Sequence, residues 1–176
     1  MLYCPACGAQ RLAVHGNQFI CSDCDFTFFQ NMAAAVMAVV IKQDSQQRTQ
    51  LLVATRSRDP GKGLWDLPGG FVDPDESAEF ALHRELKEEI GAELASAQYL
   101  TSFPNTYPYK NVTYKTCDMV FIVTLTEGAK VVANDDVESL QWLPLAEIDL
   151  SQFAFESTKR AVSAVQDKLL ASERVQ

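Results

Sequence analysis

Glu76, Arg84, Glu85, Glu88 and Glu89 fall within fourteen consecutive residues. Positions three and four apart are neighbours on a helix surface, so a helix here brings Glu85, Glu88 and Glu89 towards one face. Carboxylates crowded in that way repel one another at neutral pH unless cations intervene. Oxygen donors select hard divalent ions, so the spacing reads as a magnesium or manganese site. Such an ion polarises phosphoryl oxygens and positions water, which is the chemistry of cutting a phosphate anhydride.

The cluster can act only if flanking elements hold it. Pro68-Gly69-Gly70 supplies the unusual backbone needed beside phosphate and metal. Pro74-Asp75-Glu76-Ser77 is a helix-start signal, and Gly91 is a C-cap. Between them Ala78, Leu82, Leu86 and Ile90 form an apolar stripe. Residues 32–41 and 51–55 read as strands joined by a polar turn over 42–50, and residues 59–63 as a loop. Further strands are expected near 97–102, 112–126 and 139–143. Residues 156–172 read as an amphipathic helix that buries Ala161, Val162, Val165, Leu169 and Leu170. Strands with one helix in the middle and one at the end fit an α/β class, a mixed sheet between helices.

The segment from Gly70 to Ala92 resembles the Nudix box, Gly-x5-Glu-x7-Arg-Glu-aliphatic-x-Glu-Glu-x-Gly-aliphatic. Gly70, Glu76, Arg84, Glu85, Leu86, Glu88, Glu89 and Gly91 all fall in place, and Ala92 replaces the usual larger aliphatic residue. The flanks are similar too, at Leu64-Trp65-Asp66-Leu67-Pro68-Gly69-Gly70 and at Trp142-Leu143-Pro144. The resemblance implies a Nudix α/β/α sandwich and a pyrophosphohydrolase. It implies that Glu85 and Glu89 ligate the metal with Glu88 as a third, and that the Gly70 carbonyl completes the shell. Arg84 would hold the carboxylates by charge-assisted bonds, and Glu76 would lie near the site. Family members differ in their general base, and some draw it from outside the box. Asp135, Asp136 and Glu138 are the candidates here.

A second metal site is written in the cysteines. Cys4-Pro-Ala-Cys7 and Cys21-Ser-Asp-Cys24 are two Cys-x2-Cys pairs, which suit tetrahedral zinc. Iron and a pair of disulfides are the alternatives. A cytoplasmic setting, expected because no secretory signal opens the chain, disfavours disulfides. Residues 1–30 therefore read as a small N-terminal zinc ribbon and residues 31–176 as the Nudix domain. His15 reads as a bystander and Cys117 as a buried structural thiol.

The formal net charge of −8 disfavours nonspecific duplex nucleic-acid binding, which needs a basic footprint. No apolar run approaches the ~20 residues needed to span a bilayer. The expected partner is a small nucleotide substrate, and a homodimer is a guess from relatives. Beyond the box, Ser102, Pro104, Tyr107 and Pro108 resemble the Ser-Gln-Pro-Trp-Pro-Phe-Pro-x-Ser motif of NADH pyrophosphatases, which also carry a ribbon. Asn105, Thr106 and Lys110 depart from it. NADH, ADP-ribose or a related dinucleotide is the implied substrate. Phe103, Tyr107 and Tyr109 either stack a base or simply pack. The competing readings are a nucleotide-sensing module whose ribbon contacts a protein or nucleic acid, and hydrolysis of capped or oxidised nucleotides.

Overall fold

The structure, a computed structural model, describes the main chain of residues 3–173 and side chains through residue 169. The expected burial of Leu170, and the outermost residues of both assigned domains, lie outside that range. The chain divides into two compact units, Met1–Met32 and Ala33–Gln176.

The first unit is a three-stranded antiparallel sheet of β1 (Leu12–His15), β2 (Gln18–Cys21) and β3 (Thr27–Phe29). Its two Cys-x2-Cys turns are built alike. Gly8 N–H donates to the Cys4 carbonyl and Asp25 N–H to the Cys21 carbonyl, both at 2.9 Å. The residue after each second cysteine turns left-handed, Gly8 at φ 77° and Asp25 at φ 58°. Glycine and aspartate are among the residues that enter that region most readily.

The second unit contains β4 (Ala33–Gln43), β5 (Thr49–Arg56), β6 (Trp65–Asp66), β7 (Gly69–Phe71), α1 (Ala78–Ile90), β8 (Leu94–Tyr109), β9 (Val112–Leu125), β10 (Val137–Pro144) and α2 (Glu156–Glu173). The mixed sheet runs β10-β5-β4-β9-β8, with β4 and β9 parallel. Strands β4 and β5 pair only from Ile41 to Gln43 and then part. β6 adds to β5 and β7 adds to β4 inside that split. The split places the Gly69-Gly70 backbone beside α1.

Alternation along the strands divides the core in two. Val36, Ala38, Val40, Leu52 and Phe121 pack against Leu82, Leu86 and Ile90 of α1. Met37, Val39, Leu51, Val53 and Val120 pack against Ala161, Val162 and Val165 of α2. Each fully buried valine, leucine or isoleucine among them is worth about 1.5–3 kcal/mol relative to exposure. This is the expected α/β/α sandwich. The side chain of Ser77 caps α1 by accepting from Phe80 N–H at 3.2 Å, and Gly91 ends it at φ 66°.

The main departure from expectation is β8. Residues 103–109 continue it as strand, so the hairpin with β9 stays paired from Leu94 to Tyr109. Pro104 and Pro108 sit in that strand because β8 is the sheet edge, where an absent N–H breaks no ladder. Cys117 is half-buried and unpaired, more open than expected. Among the described residues no helix is long and apolar enough to cross a membrane.

Candidate functional site

A cleft of about 270 Å³ opens beside the β4–β5 split. Glu85, Glu89 and Gly70 line it, together with Asp135 and Asp136 from the segment before β10 and Tyr107 from β8. Residues expected to act together thus converge from four separate segments.

Helix geometry sorts the glutamates. Four residues overshoot one helical turn by about 40° and three fall about 60° short of it, so Glu88 stands roughly 100° from Glu89. Glu89 is accordingly 7% exposed and faces the cleft, Glu85 is half-buried there, and Glu88 is exposed. Glu76 and Glu88 do not line the cleft. Both are held by Arg84, which donates to Glu76 at 2.8 and 2.9 Å, to Glu85 at 2.7 Å and to Glu88 at 3.1 Å. A further bond to the Phe71 carbonyl ties the guanidinium to β7. Arg84 is therefore the brace between α1 and the loop leading into it.

Burial pushes the Glu89 carboxyl well above the usual range, and the nearby Asp136 and Glu85 carboxylates add to the rise. The Gly69 N–H, donating to Glu89 at 2.8 Å, works against it. Burial also raises Glu85, with Arg84 opposing and Glu88 and Asp136 reinforcing. Hydrogen bonds from Arg84 hold Glu76 below its ordinary value.

Gly69 is required here by space: it has φ 147°, and a Cβ there would lie 2.1 Å from the Val36 carbonyl oxygen. A Cβ on Gly70 would lie 2.5 Å from Glu85 Oε1, so a larger residue there would displace the Glu85 carboxylate.

The remaining candidates scatter. Residues 103, 105, 107 and 109 alternate onto one face of β8. Phe103 lies at the core end of that face, packed into the α2-side cluster with the Arg160 guanidinium 4.3 Å above its ring. It is a packing residue and not a cleft wall. Tyr107 lines the cleft, its ring 5.4 Å from Phe155 and 5.7 Å from Phe71. Tyr109 is exposed at the strand end, stacked on Tyr107 at 6.4 Å, and lines a shallower groove with Arg58 and Lys110. Glu138 is exposed and outside the cleft, because a bulge between Val137 and Ser139 turns it away.

Sequence reading missed several cleft residues. Arg56 at the end of β5 donates to Asp66 at 2.7 Å and to the Pro60 carbonyl at 2.7 Å, and lies over the Phe155 ring. Burial raises Asp66, opposed by Arg56, while Thr158 donates to it at 3.0 Å. Arg58 forks between Asp135 and Asp136 at 3.2 and 3.3 Å. Asn105, Thr116 and Asp118 line the cleft from β8 and β9. The available signal was polarity inside apolar strands, at Thr116 and Asp118 before Val120–Val123 and at Arg56 after Leu51–Ala54.

In the first unit the sulfurs of Cys4, Cys7, Cys21 and Cys24 all lie within 4.8 Å of one another. The Cys4–Cys24 and Cys7–Cys21 sulfurs are each 3.7 Å apart, and all four cysteines are free. His15 is not among this group.

The NUDIX domain family model matches residues 32–164. The chain is 26% identical over 174 residues to the NAD-capped RNA hydrolase NudC of Deinococcus radiodurans, covering 98% of this chain and 58% of that protein. It spans about half the length of the curated relatives it matches. Among solved structures it resembles a NUDIX hydrolase from Nitrosomonas europaea, with TM-score 0.70, 19% identity, and 96% of this chain and 93% of that one covered. It also resembles the NUDIX domain of Shewanella oneidensis NrtR complexed with ADP ribose. There the TM-score is 0.66 at 25% identity, covering 80% of this chain and 90% of that one.

Proposed function

The chain belongs to the Nudix family, and on that premise we propose that it hydrolyses the pyrophosphate bond of a nucleoside diphosphate linked to a second moiety. NADH, ADP-ribose or a related dinucleotide is the substrate class. The observation that carries this reading is the convergence of Glu85, Glu89 and Asp136 on one cleft, against a backbone that only glycine permits.

The donor set fits a magnesium or manganese ion. It is all oxygen, buried or half-buried, and short of protein donors: the Gly69 amide donates to Glu89, whose other close polar neighbour is the Asp136 carboxyl. A hard divalent ion offsets the repulsion that raises these carboxyls. Glu85, Glu89 and the Gly70 carbonyl would hold it, with Asp136 facing them and Glu88 at the solvent side. When bound, the ion would polarise the phosphoryl oxygens and offset the charge of the diphosphate.

The chain's own residues do the rest. Arg84 fixes Glu85 and Glu88, and the Gly69 amide orients Glu89. Tyr107 and Phe155 form an aromatic wall for a planar base. A carboxylate of the cluster takes the proton of the attacking water. The products are a mononucleotide and a second phosphomonoester.

We assign residues 1–30 as a structural zinc ribbon and 31–176 as the catalytic domain. Tetrahedral zinc with Zn–S bonds of about 2.3 Å requires sulfurs about 3.8 Å apart, close to the 3.7 Å separations here. A unit this small lacks a sufficient core without metal.

A second reading, a nucleotide-binding module, is favoured by the likeness to a Nudix domain complexed with ADP ribose. A phosphomonoester-release screen separates the two. The purified protein is given magnesium or manganese with NADH, NAD, ADP-ribose, FAD, diadenosine polyphosphates and nucleoside triphosphates, and a phosphatase reports the products. Turnover of a dinucleotide supports the hydrolase. Tight binding of the same compounds without turnover overturns it in favour of the module.

A further inference from the structure

Asp118 is 5% exposed and its neighbour Thr116 is 2% exposed, yet both line the cleft. Their role is not accounted for by the diphosphate chemistry. Asp118 lies opposite Ala35 of β4 on one side and opposite Phe103 of β8 on the other. Residues paired across strands share a face, so the carboxyl is set between a methyl group and an aromatic ring. The Thr116 hydroxyl donates to Asp118 Oδ1 at 2.5 Å, and among the described residues that is the carboxyl's hydrogen-bond partner. Asp118 Oδ2 has no such partner.

Among the described residues Asp118 Oδ2 is not a sealed, unpartnered atom; it is open to the cleft and able to accept a hydrogen bond from what enters there. The same cleft has an aromatic wall, Tyr107 and Phe155, suited to a flat ring. The Asn105 carbonyl oxygen is already engaged by the Thr106 N–H at 2.8 Å, which leaves the Asn105 amide N–H2 as a donor. An acceptor beside a donor, in a cleft with an aromatic wall, matches the edge of a heterocycle and not a phosphate, which a carboxylate would repel.

We propose that Asp118, fixed by Thr116, is the specificity-determining residue that accepts a hydrogen bond from the exocyclic amino group of the substrate's base. This rests on the hydrolase reading for the identity of the substrate, but not on the metal. Replacing an amino group by an oxo group turns a donor into an acceptor and sets two acceptors against each other. Sites built to pair a polar substrate group discriminate strongly against analogues lacking it.

The test measures binding without turnover. Nucleoside monophosphates are titrated into the metal-free, zinc-loaded protein by calorimetry, comparing AMP with IMP and CMP with UMP. Asp118→Asn keeps shape and the Thr116 bond, and Thr116→Val keeps Asp118 while releasing its orientation. The wild type is expected to favour at least one amino-bearing base over its oxo counterpart by tenfold or more. Asp118→Asn should bring that ratio below about threefold, and Thr116→Val should lower it in the same direction. Circular dichroism of each variant checks that the fold is kept. With magnesium, the ratio in wild-type turnover should appear in KM and not in kcat. Equal affinity for amino and oxo bases in the wild type overturns the proposal, as does an unchanged ratio in a folded Asp118→Asn. A loss on 2′-deoxy substitution with indifference to the base also overturns it, assigning Asp118 to a sugar hydroxyl. Base-selective binding with no hydrolysis of any dinucleotide would uphold Asp118 and refute the hydrolase reading, so the two failures are distinguishable.

Discussion

Glu89→Gln should make the metal-free protein more stable while removing its activity. Glu89 is 7% exposed, accepts a bond from the Gly69 amide at 2.8 Å, and faces Glu85 and Asp136. Burial and those two carboxylates raise its carboxyl well above the unfolded value. From the unfolded carboxyl's ordinary value upward, burying this group costs folding free energy, whether it is held protonated or charged. The isosteric amide keeps an oxygen for Gly69 and gives Asp136 or Glu85 a donor. Removing an unfavourable buried charge gains about 1–3 kcal/mol, which for a chain of this size is about 3–9 °C in melting temperature. The same change deletes a ligand charge, and turnover should fall by about a thousandfold or more, equivalent to about 4 kcal/mol. Differential scanning calorimetry in chelator at pH 7.5 and initial rates in magnesium read the two effects separately. A variant that melts below wild type, or keeps a tenth of its activity, refutes the placement of Glu89 as an under-compensated metal ligand.

Gly69→Ala should lose soluble protein or most activity, because its Cβ would lie 2.1 Å from the Val36 backbone oxygen at φ 147°; an active variant of wild-type melting temperature contradicts that geometry. Cys21→Ser should purify with less than one zinc per chain and with the ribbon amides unprotected in hydrogen exchange; full zinc content would remove Cys21 from the cluster. The metal-free protein should gain stability as pH falls from the alkaline side towards the ordinary carboxylate range, since carboxyls raised on folding, Glu89 and Glu85, favour their protonated forms in the folded state. It should lose stability at lower pH, where Glu76, lowered by Arg84, takes a proton. Magnesium should stabilise most at the alkaline end, because binding must displace those protons. A magnesium-induced shift that is flat from pH 8 to 6 would show that the raised carboxyls are not the ligands.

The helix and its glutamates were legible because local signals agree. Ser77, the Leu82-Leu86-Ile90 stripe and Gly91 set the bounds of α1 to within a residue. The division of labour among the glutamates was not legible in their types, since it depends on which side of α1 meets the sheet split. Glu88 and Glu76 belong to the Arg84 brace, while Glu85 and Glu89 reach the cleft. The candidates before Trp142 were half-resolved. Asp135 and Asp136 enter the cleft, but the bulge that turns Glu138 out has no local signature. The prolines at 104 and 108 hid the length of β8, because an edge strand tolerates what a central strand does not. Asp118 and Arg56 were visible only as polar residues in apolar strands, and their shared cleft is a product of long-range pairing.

Phosphorus-31 NMR of ADP-ribose or NADH with the zinc-loaded protein and magnesium tests the central claim most directly. The account predicts that the two diphosphate resonances of at least one of these compounds give way to two phosphomonoester resonances of equal area, and that chelator or Glu89→Gln prevents this. Unchanged diphosphate resonances for both compounds with the folded wild type, in magnesium and in manganese, would contradict it.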